Sequence, residues 1–199
     1  MDFSHPPADP VPCARQWIDH ACSSSGNPNP DAIYLSTVDP DGRPSIRTVL
    51  MKGFDEDGLV FFTNKRSRKG RALEVNPRAA ILFHWDHLQR QLLVEGDVTH
   101  VDQKRDDEYF QSRGRDSQIG AVASLQSESM PNRGDLEARF HQVQQEFADG
   151  PVRRPAHWGG YRVSLGRLEF WEAGDHRLHD RICYERDENG GWTWRYMFP

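Results

Sequence analysis

The feature that most constrains the fold is a run of short β-type segments, separated by turn signals, that begins at residue 32. AIYLSTV, SIRTVLM and LVFFT are rich in β-branched and aromatic residues, and DPDG and DEDG separate them. AAILFHW and RQLLVEGDVTHV continue the pattern, and the last third of the chain adds YRVSLGRLEFW, RICYER and WTWRYMF. About seven or eight strands with few helices between them predict a mainly β fold with flanking helices, in which an antiparallel barrel is favoured over a parallel α/β sheet.

The N-terminus differs in character from this β-rich region. Residues 1–12 contain four prolines and predict a flexible arm, followed by a single domain over residues 13–199. A first helix is predicted after the arm, and SSSGNPNP should end it. The apolar face of this helix comprises Cys13, Trp17, Ile18 and Ala21.

Three further helical segments interrupt the strands. The first begins after Ser67, a favourable N-cap residue, and stops at Asn76-Pro77. The second covers about residues 102–112 and the third about residues 134–148. The third carries an apolar stripe that predicts core packing, formed by Leu136, Phe140, Val143 and Phe147.

Overall charge and hydropathy exclude some classes of function. The formal net charge is -5, so general nucleic-acid binding, which leaves a basic footprint, is not expected. No run approaches the roughly 20 apolar residues that a membrane span needs, and the N-terminus MDFSHPPADP lacks a signal-peptide pattern. We therefore expect a cytoplasmic protein without nucleic-acid or membrane partners, in which a local basic cluster binds a small anion.

Several common motifs are absent from the sequence. It contains no GxGxxG, Walker loop, GxSxG or HExxH, so dinucleotide folds, P-loops, hydrolases and zincins have no support. The stretch His84-Trp85-Asp86-His87 has residue types that bind metals, but it lies where a strand meets a turn. A surface turn is the better interpretation, and no metal site is predicted.

The segment NKRSRKGRALEVNP concentrates positive charge at a helix start. Arg68, Lys69 and Arg71 crowd the first turn, where the helix dipole is positive and cations are disfavoured. A bound phosphate would compensate, because the free N–H groups of a helix start and nearby cations form an anion site. A solvated basic face explains the pattern equally well.

Two more cations bracket the apolar strand segment that precedes this helix. Arg47 and Lys52 are roughly 16 Å apart in an extended strand, so they can serve two ends of a long ligand or two separate anions. The alternative is a pair of charges that reach solvent at opposite rims of a barrel strand.

A third group of donors lies in YFQSRGRDSQIGA. Tyr109 and Arg113 share a helix face, and Ser117 follows across Gly114, which can bend the chain. Phenol, guanidinium and hydroxyl donors on one side predict a second phosphate cradle. Taken alone, a helix-end arginine with a capping serine is the better interpretation.

The segment WEAGDHRLHDR adds further cations behind aromatic residues. If it is extended, Arg177, His179 and Arg181 alternate onto one face. A guanidinium and an imidazole can stack on a π-system as well as bind anions. Surface cations are the alternative, but Phe170 and Trp171 just before them favour the wall of a ligand site.

Together these residues resemble the pyridoxamine 5′-phosphate oxidase family of FMN enzymes. The resemblance runs from about residue 31 to residue 185 and rests on RTVLMKGFD, FFTNKRSRKG, QRQLLVEG, YFQSRGRDSQIGA, LQSES, HWGGYRVS and EFWEAGDHRLHDR. It implies a split β-barrel homodimer with FMN in the subunit interface. Phe62 stands where a tyrosine is common in the family.

The resemblance also implies roles for individual residues at matching positions. Arg47, Arg68 and Lys69 would hold the flavin phosphate, helped by Thr63 and Ser127. The other residues expected to contact FMN are Thr48, Val49, Leu50, Met51, Lys52, Phe62, Gln91, Gln126, Trp171 and Arg181. The residues expected to bind substrate are Lys52, Tyr109, Arg113, Ser117, Arg177 and His179, and the last two would be catalytic because they press the pyridine ring onto the flavin.

The implied activity is FMN-dependent oxidation of pyridoxamine 5′-phosphate and pyridoxine 5′-phosphate to pyridoxal 5′-phosphate. O2 accepts the electrons, H2O2 is released, and the amine substrate also yields ammonia. One alternative is a sister FMN oxidase of the same fold that acts on another ring, such as a phenazine precursor. Another is a flavin-binding module without catalytic activity.

Overall fold

Residues 1–24 and 28–199 are described by the computed structural model, and in this part of the chain the β-type segments form nine strands. The strands are β1 Ala32–Val38, β2 Pro44–Asp55, β3 Gly58–Asn64, β4 Arg78–Trp85, β5 Arg90–His100, β6 Trp158–Val163, β7 Arg167–Glu172, β8 Asp180–Arg186 and β9 Trp192–Tyr196. The helices are α1 Val11–Ser23, α2 Arg68–Val75, α3 Gln103–Ser112, α4 Arg115–Ala123 and α5 Arg133–Glu146.

Six of the strands close into an antiparallel barrel. Their order is β4-β1-β2-β3-β6-β5, and β5 pairs back onto β4. Strand β5 is long enough to have two further partners: its last residues pair with β6, and Arg90–Glu95 pair with β7, from which β8 and β9 extend the sheet. This branching gives the split barrel, so the predicted fold class is confirmed. The strand number is nine because YRVSLGRLEFW contains two strands, β6 and β7.

The barrel encloses the main apolar core. Alternate residues of β1 point inward, so that Ile33 and Leu35 are completely buried, and Phe83 and Leu92 contribute from β4 and β5. Helix α1 covers this core with Trp17, whose ring meets the Phe170 ring edge-on at a centroid distance of 5.1 Å. Burial of alternating apolar residues therefore fixes the register of β1, β4 and the first half of β5.

The N-terminal residues lie against the barrel extension. The Tyr184 hydroxyl donates to the Pro7 carbonyl at 3.0 Å, and the Tyr196 hydroxyl donates to the Phe3 carbonyl at 2.7 Å. Helix α1 begins at Val11 and so includes two residues of the predicted arm. Its end at Ser23 agrees with the predicted break, of which residues 25–27 lie outside the described part of the chain. The flexibility of the arm stays a prediction.

The remaining helices form a second layer beside the barrel. The predicted cap of α2 is confirmed: Ser67 accepts a hydrogen bond from the Gly70 N–H, and the helix ends before Asn76. Helices α3 and α5 lie within a residue or two of their predicted bounds, whereas α4 was not predicted. In the described ranges, 1–24 and 28–199, no helix is long and apolar enough to cross a membrane.

The apolar stripe of α5 is less buried than predicted. Only Val143 is fully buried in this stripe, and Leu136 is 38% exposed. The reason is that α5 packs on α4 and on a small separate core around Phe110 and Ile119, instead of on the barrel.

Candidate functional site

A cavity of about 580 Å³ opens between strands β2 and β3 and helices α3 and α4. Many of the residues assigned from the resemblance line it: Thr48, Val49, Leu50, Lys52, Phe62, Thr63, Lys69, Tyr109, Arg113, Ser117 and Gln126. We call these residues the cavity group. They come from four separate segments of the chain, so the fold brings together donors that are up to 78 positions apart in the sequence, Thr48 and Gln126 being the extremes.

Strand β2 reaches the cavity through its outer face. Thr48, Leu50 and Lys52 alternate along this face, whereas Arg47 points the other way. Among the described residues, β2 pairs with β3 only from Met51 to Asp55. Residues 44–50 therefore present a strand edge that β3 does not cover, and the backbone groups of this edge are available to hydrogen-bond a ligand in the cavity.

Lys69 is the cation of α2 that points into the cavity. It is only 7% exposed, and its Nζ donates to Thr63 Oγ1 at 3.2 Å and to Gln126 Oε1 at 3.3 Å. Burial, followed by the positive charge of Arg47, lowers the pKa of Lys69 to about 8. A desolvated ammonium whose observed partners are neutral is well suited to receive an anion.

The other two cations at the start of α2 turn away. Arg68 is exposed and approaches Asp39 at 3.6 Å. Arg71 donates to Glu128 at 2.8 Å and to the carbonyl of Arg66. Each of the two interpretations of this segment therefore applies to a different residue. Lys69 suits an anion site, and Arg71 belongs to a solvated basic face.

Arg47 is held from within β1 and β2. Its guanidinium donates to the Leu35 carbonyl at 3.0 Å, to Thr37 Oγ1 at 2.9 Å and to Ser45 Oγ at 2.5 Å. Burial, followed by the charge of Arg68, lowers the pKa of Arg47. Arg47 contributes positive potential close to Lys69 without lining the cavity itself.

The second predicted cradle also lies in this cavity. Tyr109 is near the end of α3, Arg113 is the C-cap of α3, and Ser117 lies in the first turn of α4. Nη1 of Arg113 is buried and has no hydrogen-bond partner among the described residues. Burial lowers the pKa of Arg113, which again indicates a cation prepared for an anion. Lys52 joins this end of the cavity and forms an ion pair with Asp31 at 2.7 Å.

The segment DHRLHDR is not extended, so the predicted alternation of Arg177, His179 and Arg181 on one strand face is wrong. Residues 175–177 form a 3₁₀ turn, and His176 and Arg177 have positive φ values of 55° and 66°. Gly174 permits this turn, because a Cβ there would lie 2.0 Å from the Leu178 carbonyl oxygen. Strand β8 begins only at Asp180.

The turn nevertheless leaves His179, one of the two predicted catalytic residues, beside a residue expected to contact FMN, Trp171. Gln91, Trp171 and Arg181 form a row across β5, β7 and β8. The His179 ring lies 4.7 Å from the Trp171 ring, and its Nδ1 accepts a hydrogen bond from the Gly174 N–H at 3.2 Å. We call this set the row group, formed by Gln91, Trp171, Arg177, His179 and Arg181.

The cavity group and the row group lie on opposite walls of the barrel. In the closed order of six strands, β5 is three strands from β2 in either direction, and β7 and β8 extend from β5. No member of the row group lines the cavity. Of the residues expected to contact FMN, Met51, Ser127, Arg47 and Arg68 also lie outside the cavity lining.

Two family models match this chain, each over a different segment. Residues 26–147 match the model described as pyridoxamine 5′-phosphate oxidase. Residues 158–199 match the model described as the pyridoxine 5′-phosphate oxidase C-terminal dimerisation region. The chain belongs to the pyridoxamine 5′-phosphate oxidase family. The row group, apart from Gln91, lies within the matched dimerisation region.

Relatives in this family are similar over almost the whole chain. A pyridoxine/pyridoxamine 5′-phosphate oxidase of Gluconobacter oxydans is 46% identical over 192 residues, which cover 96% of this chain and 95% of that protein. The one of Rubrobacter xylanophilus is 49% identical over 187 residues, which cover 93% of this chain and 85% of that protein.

Solved structures support the same fold. PhzG of Burkholderia lata, crystallised with tetrahydrophenazine-1-carboxylic acid, superposes with a TM-score of 0.91 at 30% identity, covering 100% of this chain and 96% of that chain. An FMN-binding protein of Nostoc punctiforme, described as related to pyridoxamine 5′-phosphate oxidase, has a TM-score of 0.75 at 19% identity, covering 98% of this chain and 100% of that chain.

FMN, the cofactor of this oxidase family, fits the residues present. Its phosphate requires desolvated cations, and Lys69 supplies an ammonium with neutral partners. Its ring system requires hydrogen-bond donors and acceptors, and the uncovered edge of β2 supplies backbone groups. Its aromatic surface can pack on the Phe62 side chain, which lines the cavity.

Among the residues that sequence reasoning missed, Trp158 and Glu169 have the most contacts with predicted site residues. Trp158 lines the cavity and contacts three aromatic side chains, although HWGGYRVS was recognised only as a family motif. Glu169 is 9% exposed and binds Arg181 at 2.5 Å. A buried carboxylate within a strand is a signal of an ion pair, but the sequence does not show which cation it meets.

Proposed function

We propose that this protein oxidises pyridoxamine 5′-phosphate and pyridoxine 5′-phosphate to pyridoxal 5′-phosphate, as an FMN-dependent oxidase of vitamin B6 metabolism. With the amine, the substrate, O2 and water give the aldehyde, H2O2 and ammonia; with the alcohol, the substrate and O2 give the aldehyde and H2O2. The observation that carries the proposal is the convergence of Lys69 and Arg113 in one cavity, in a chain 46–49% identical to oxidases of this name.

The cavity group supplies two anion sites. Lys69, with Thr63 and Gln126 beside its ammonium, is placed to hold the flavin phosphate. Arg47 raises the positive potential there from within the barrel wall. When bound, FMN accepts a hydride from the oxidised carbon of the substrate and passes the electrons to O2.

The substrate phosphate is assigned to the other end of the cavity. Arg113 offers an unpaired guanidinium N–H, and the Tyr109 and Ser117 hydroxyls lie on the same lining. Lys52 adds a fourth donor. Four donors at fixed positions orient the ester, so the protein contributes positioning and electrostatic stabilisation to the reaction.

The row group is proposed to complete the site from a second copy of the chain. Arg177 and His179 are the proposed catalytic residues, which hold the pyridine ring against the flavin. Within one chain they lie on the wall opposite to the cavity, and the matched dimerisation region supports a homodimer. We therefore propose that FMN lies at the interface and that the second copy of the chain contributes Gln91, Trp171 and Arg181. A cytoplasmic location stays a prediction.

The similarity to PhzG favours a second candidate, oxidation of a reduced phenazine acid. The ligand named for that structure carries a carboxylate and no phosphate. Arg113, whose buried Nη1 has no partner, and the Tyr109 and Ser117 hydroxyls together offer more hydrogen-bond donors than a single carboxylate needs, which favours the phosphorylated vitamers.

The two candidates are separated by a direct assay. The purified, FMN-loaded protein is incubated in air with each phosphate ester, and aldehyde and H2O2 are measured in parallel. We expect both products in equal amounts, and anaerobic bleaching of the yellow flavin by pyridoxamine 5′-phosphate. Turnover of a dihydrophenazine carboxylic acid without turnover of either ester would establish the second candidate instead.

A further inference from the structure

Arg113 is positioned by aromatic rings. Its guanidinium carbon lies 5.0 Å from the ring centroid of Trp158 and 5.9 Å from that of Phe110. In the described ranges, no carboxylate forms an ion pair with it, and its Nη1 is buried without a partner. An aromatic face attracts a guanidinium while leaving its in-plane N–H donors free, whereas a carboxylate would occupy those donors and neutralise the charge.

Trp158 is itself held rigidly. It is 6% exposed at the start of β6, where it pairs with Asn64 of β3. Its ring stacks on Phe62 at a centroid distance of 5.4 Å with an interplanar angle of 12°, and it is nearly parallel to Tyr109 at 6.0 Å. Arg154 also donates to the Trp158 carbonyl at 2.8 Å.

The same stack fixes the phenol donor of the cavity. The Tyr109 and Phe62 rings lie 4.1 Å apart, and both rings also contact Trp158, so the three side chains form one aromatic cluster. A change at Trp158 therefore affects two of the four donors assigned to the substrate phosphate. Neither of these donors is hydrogen-bonded to the Lys69 ammonium, whose partners are Thr63 and Gln126.

We propose that Trp158 is a positioning residue that holds Arg113 and Tyr109 open towards the substrate phosphate, and so sets the preference for phosphorylated over unphosphorylated substrates. The proposal rests on the proposed function, because it assigns Arg113 to the substrate. It predicts that Trp158 acts through Arg113, so that the effect of removing the indole depends on the guanidinium being present.

The test uses the FMN-loaded enzyme, four single variants and two double variants. Trp158→Leu removes the aromatic face, and Trp158→Phe keeps a smaller one. Trp192→Leu is the matched control, because Arg186 lies over the Trp192 ring at 4.6 Å, outside the cavity. Arg113→Ala, alone and combined with each Trp158 variant, completes a double-mutant cycle.

For Trp158→Leu we expect the KM for pyridoxine 5′-phosphate to rise about tenfold, the loss expected for a desolvated cation–π contact, with kcat within about threefold and FMN retained. Trp158→Phe should raise KM by only about two- to threefold. Turnover of unphosphorylated pyridoxamine and the behaviour of Trp192→Leu should stay near wild type. In the Arg113→Ala background, both Trp158 variants should raise KM less than they do in the wild type, because only the effect through Tyr109 remains.

An equal rise in KM for phosphorylated and unphosphorylated substrates would overturn the proposal. So would a double variant in which the effects of the Trp158 and Arg113 substitutions on KM simply add. If Trp158→Leu does not fold, the double-mutant cycle of Trp158→Phe with Arg113→Ala decides, again by whether the effects on KM add. Calorimetric titration with inorganic phosphate separates this inference from the proposed function. Weaker phosphate binding by both Arg113→Ala and Trp158→Phe, in an enzyme that oxidises no vitamer, would support the inference and refute the function. Phosphate binding that no Trp158 variant changes would refute the inference whatever the enzyme oxidises.

Discussion

At the scale of single residues, Lys69 and Arg113 are the most informative positions in the cavity. Both are cations whose pKa is lowered by burial, and neither forms an ion pair with a carboxylate in the described ranges. Lys52, by contrast, is paired with Asp31. Desolvating an unpaired cation costs free energy, and a bound anion would offset that cost, so we propose that these two residues mark two anion sites.

The lowered pKa of Lys69 predicts a pH dependence of FMN binding. The folded-state pKa of about 8 lies below the ordinary value of about 10.4, so the folded protein holds this proton weakly. The flavin phosphate favours the charged ammonium and loses its own second charge below about pH 6. The FMN dissociation constant of the apoprotein should therefore be lowest between about pH 6 and 8 and rise by up to about tenfold per unit above pH 8.

Fluorescence titration of FMN into the apoprotein from pH 6 to 9.5 measures this dependence. Lys69→Met should bind FMN more weakly at pH 7 and should lose the rise above pH 8. The lowered pKa also affects stability. Between pH 8 and 10 the unfolded chain keeps the lysine proton, because its pKa is about 10.4, whereas the folded protein has lost it. The free energy of unfolding of the wild-type apoprotein should therefore increase over this pH range. A flat FMN profile in the wild type would show that Lys69 does not meet the phosphate.

Replacement of Arg113 predicts a loss confined to substrate binding. Arg113→Ala removes a charged donor from the substrate end and should raise the KM for pyridoxine 5′-phosphate by about 10- to 100-fold, with FMN retained. Steady-state kinetics and the flavin absorbance of the purified variant check both statements. Loss of FMN from Arg113→Ala would mean that the two phosphate sites had been exchanged.

At the scale of elements, helix α2 carries Lys69, which we propose binds the flavin phosphate. Ser67 is completely buried, and its side chain caps the helix by accepting from the Gly70 N–H at 3.3 Å. Ser67→Ala should lower the free energy of unfolding by about 1 kcal/mol, and the Tm by about 2–4 °C. Because Lys69 lies in the first turn, FMN should also bind several-fold more weakly.

The matched control is Asn132→Ala, which removes the N-cap of α5. It should cost a similar amount of stability without changing the FMN dissociation constant, since α5 does not line the cavity. Thermal denaturation and FMN titration of both variants give the comparison. Equal weakening of FMN by the two substitutions would show that general stability, and not the start of α2, controls FMN binding.

The sequence predicted those elements whose signals are local. Short runs of β-branched and aromatic residues between turn signals indicate β1 to β4, and the N-cap of α2 is a short-range pattern. The turn at residues 175–177 was mispredicted because two residues other than glycine, His176 and Arg177, adopt positive φ values that their residue types do not signal. Helix α4 was missed because Gly114 and Gly120 in its sequence weaken the helical pattern.

At the scale of the whole molecule, closure of the barrel decides which residues can meet. Sequence reasoning identified the cationic segments, and the family resemblance grouped them into two phosphate sites. The sequence did not show that Lys69 faces the cavity whereas Arg71 pairs with Glu128, because side-chain direction depends on non-local packing. Nor did it show that Arg177 and His179 lie on the wall opposite to the cavity, since this follows from β5 pairing back onto β4.

This separation leads to the central claim, that each active site combines the cavity group of one chain with the row group of another. The most direct measurement is the activity of a heterodimer between Arg113→Ala and His179→Ala chains, isolated with two affinity tags and assayed at low substrate concentration. One of its two sites would be intact and the other would carry both changes. A heterodimer of Arg113→Ala and Lys52→Ala, both from the cavity group, is the control, because each of its sites keeps one defect.

We predict that the Arg113→Ala and His179→Ala heterodimer has about half the activity of the wild-type dimer, far above either parent homodimer, and that the control heterodimer shows no recovery. Activity of the first heterodimer no higher than the mean of its two parents would contradict the account, because it would place both groups in one site of a single chain.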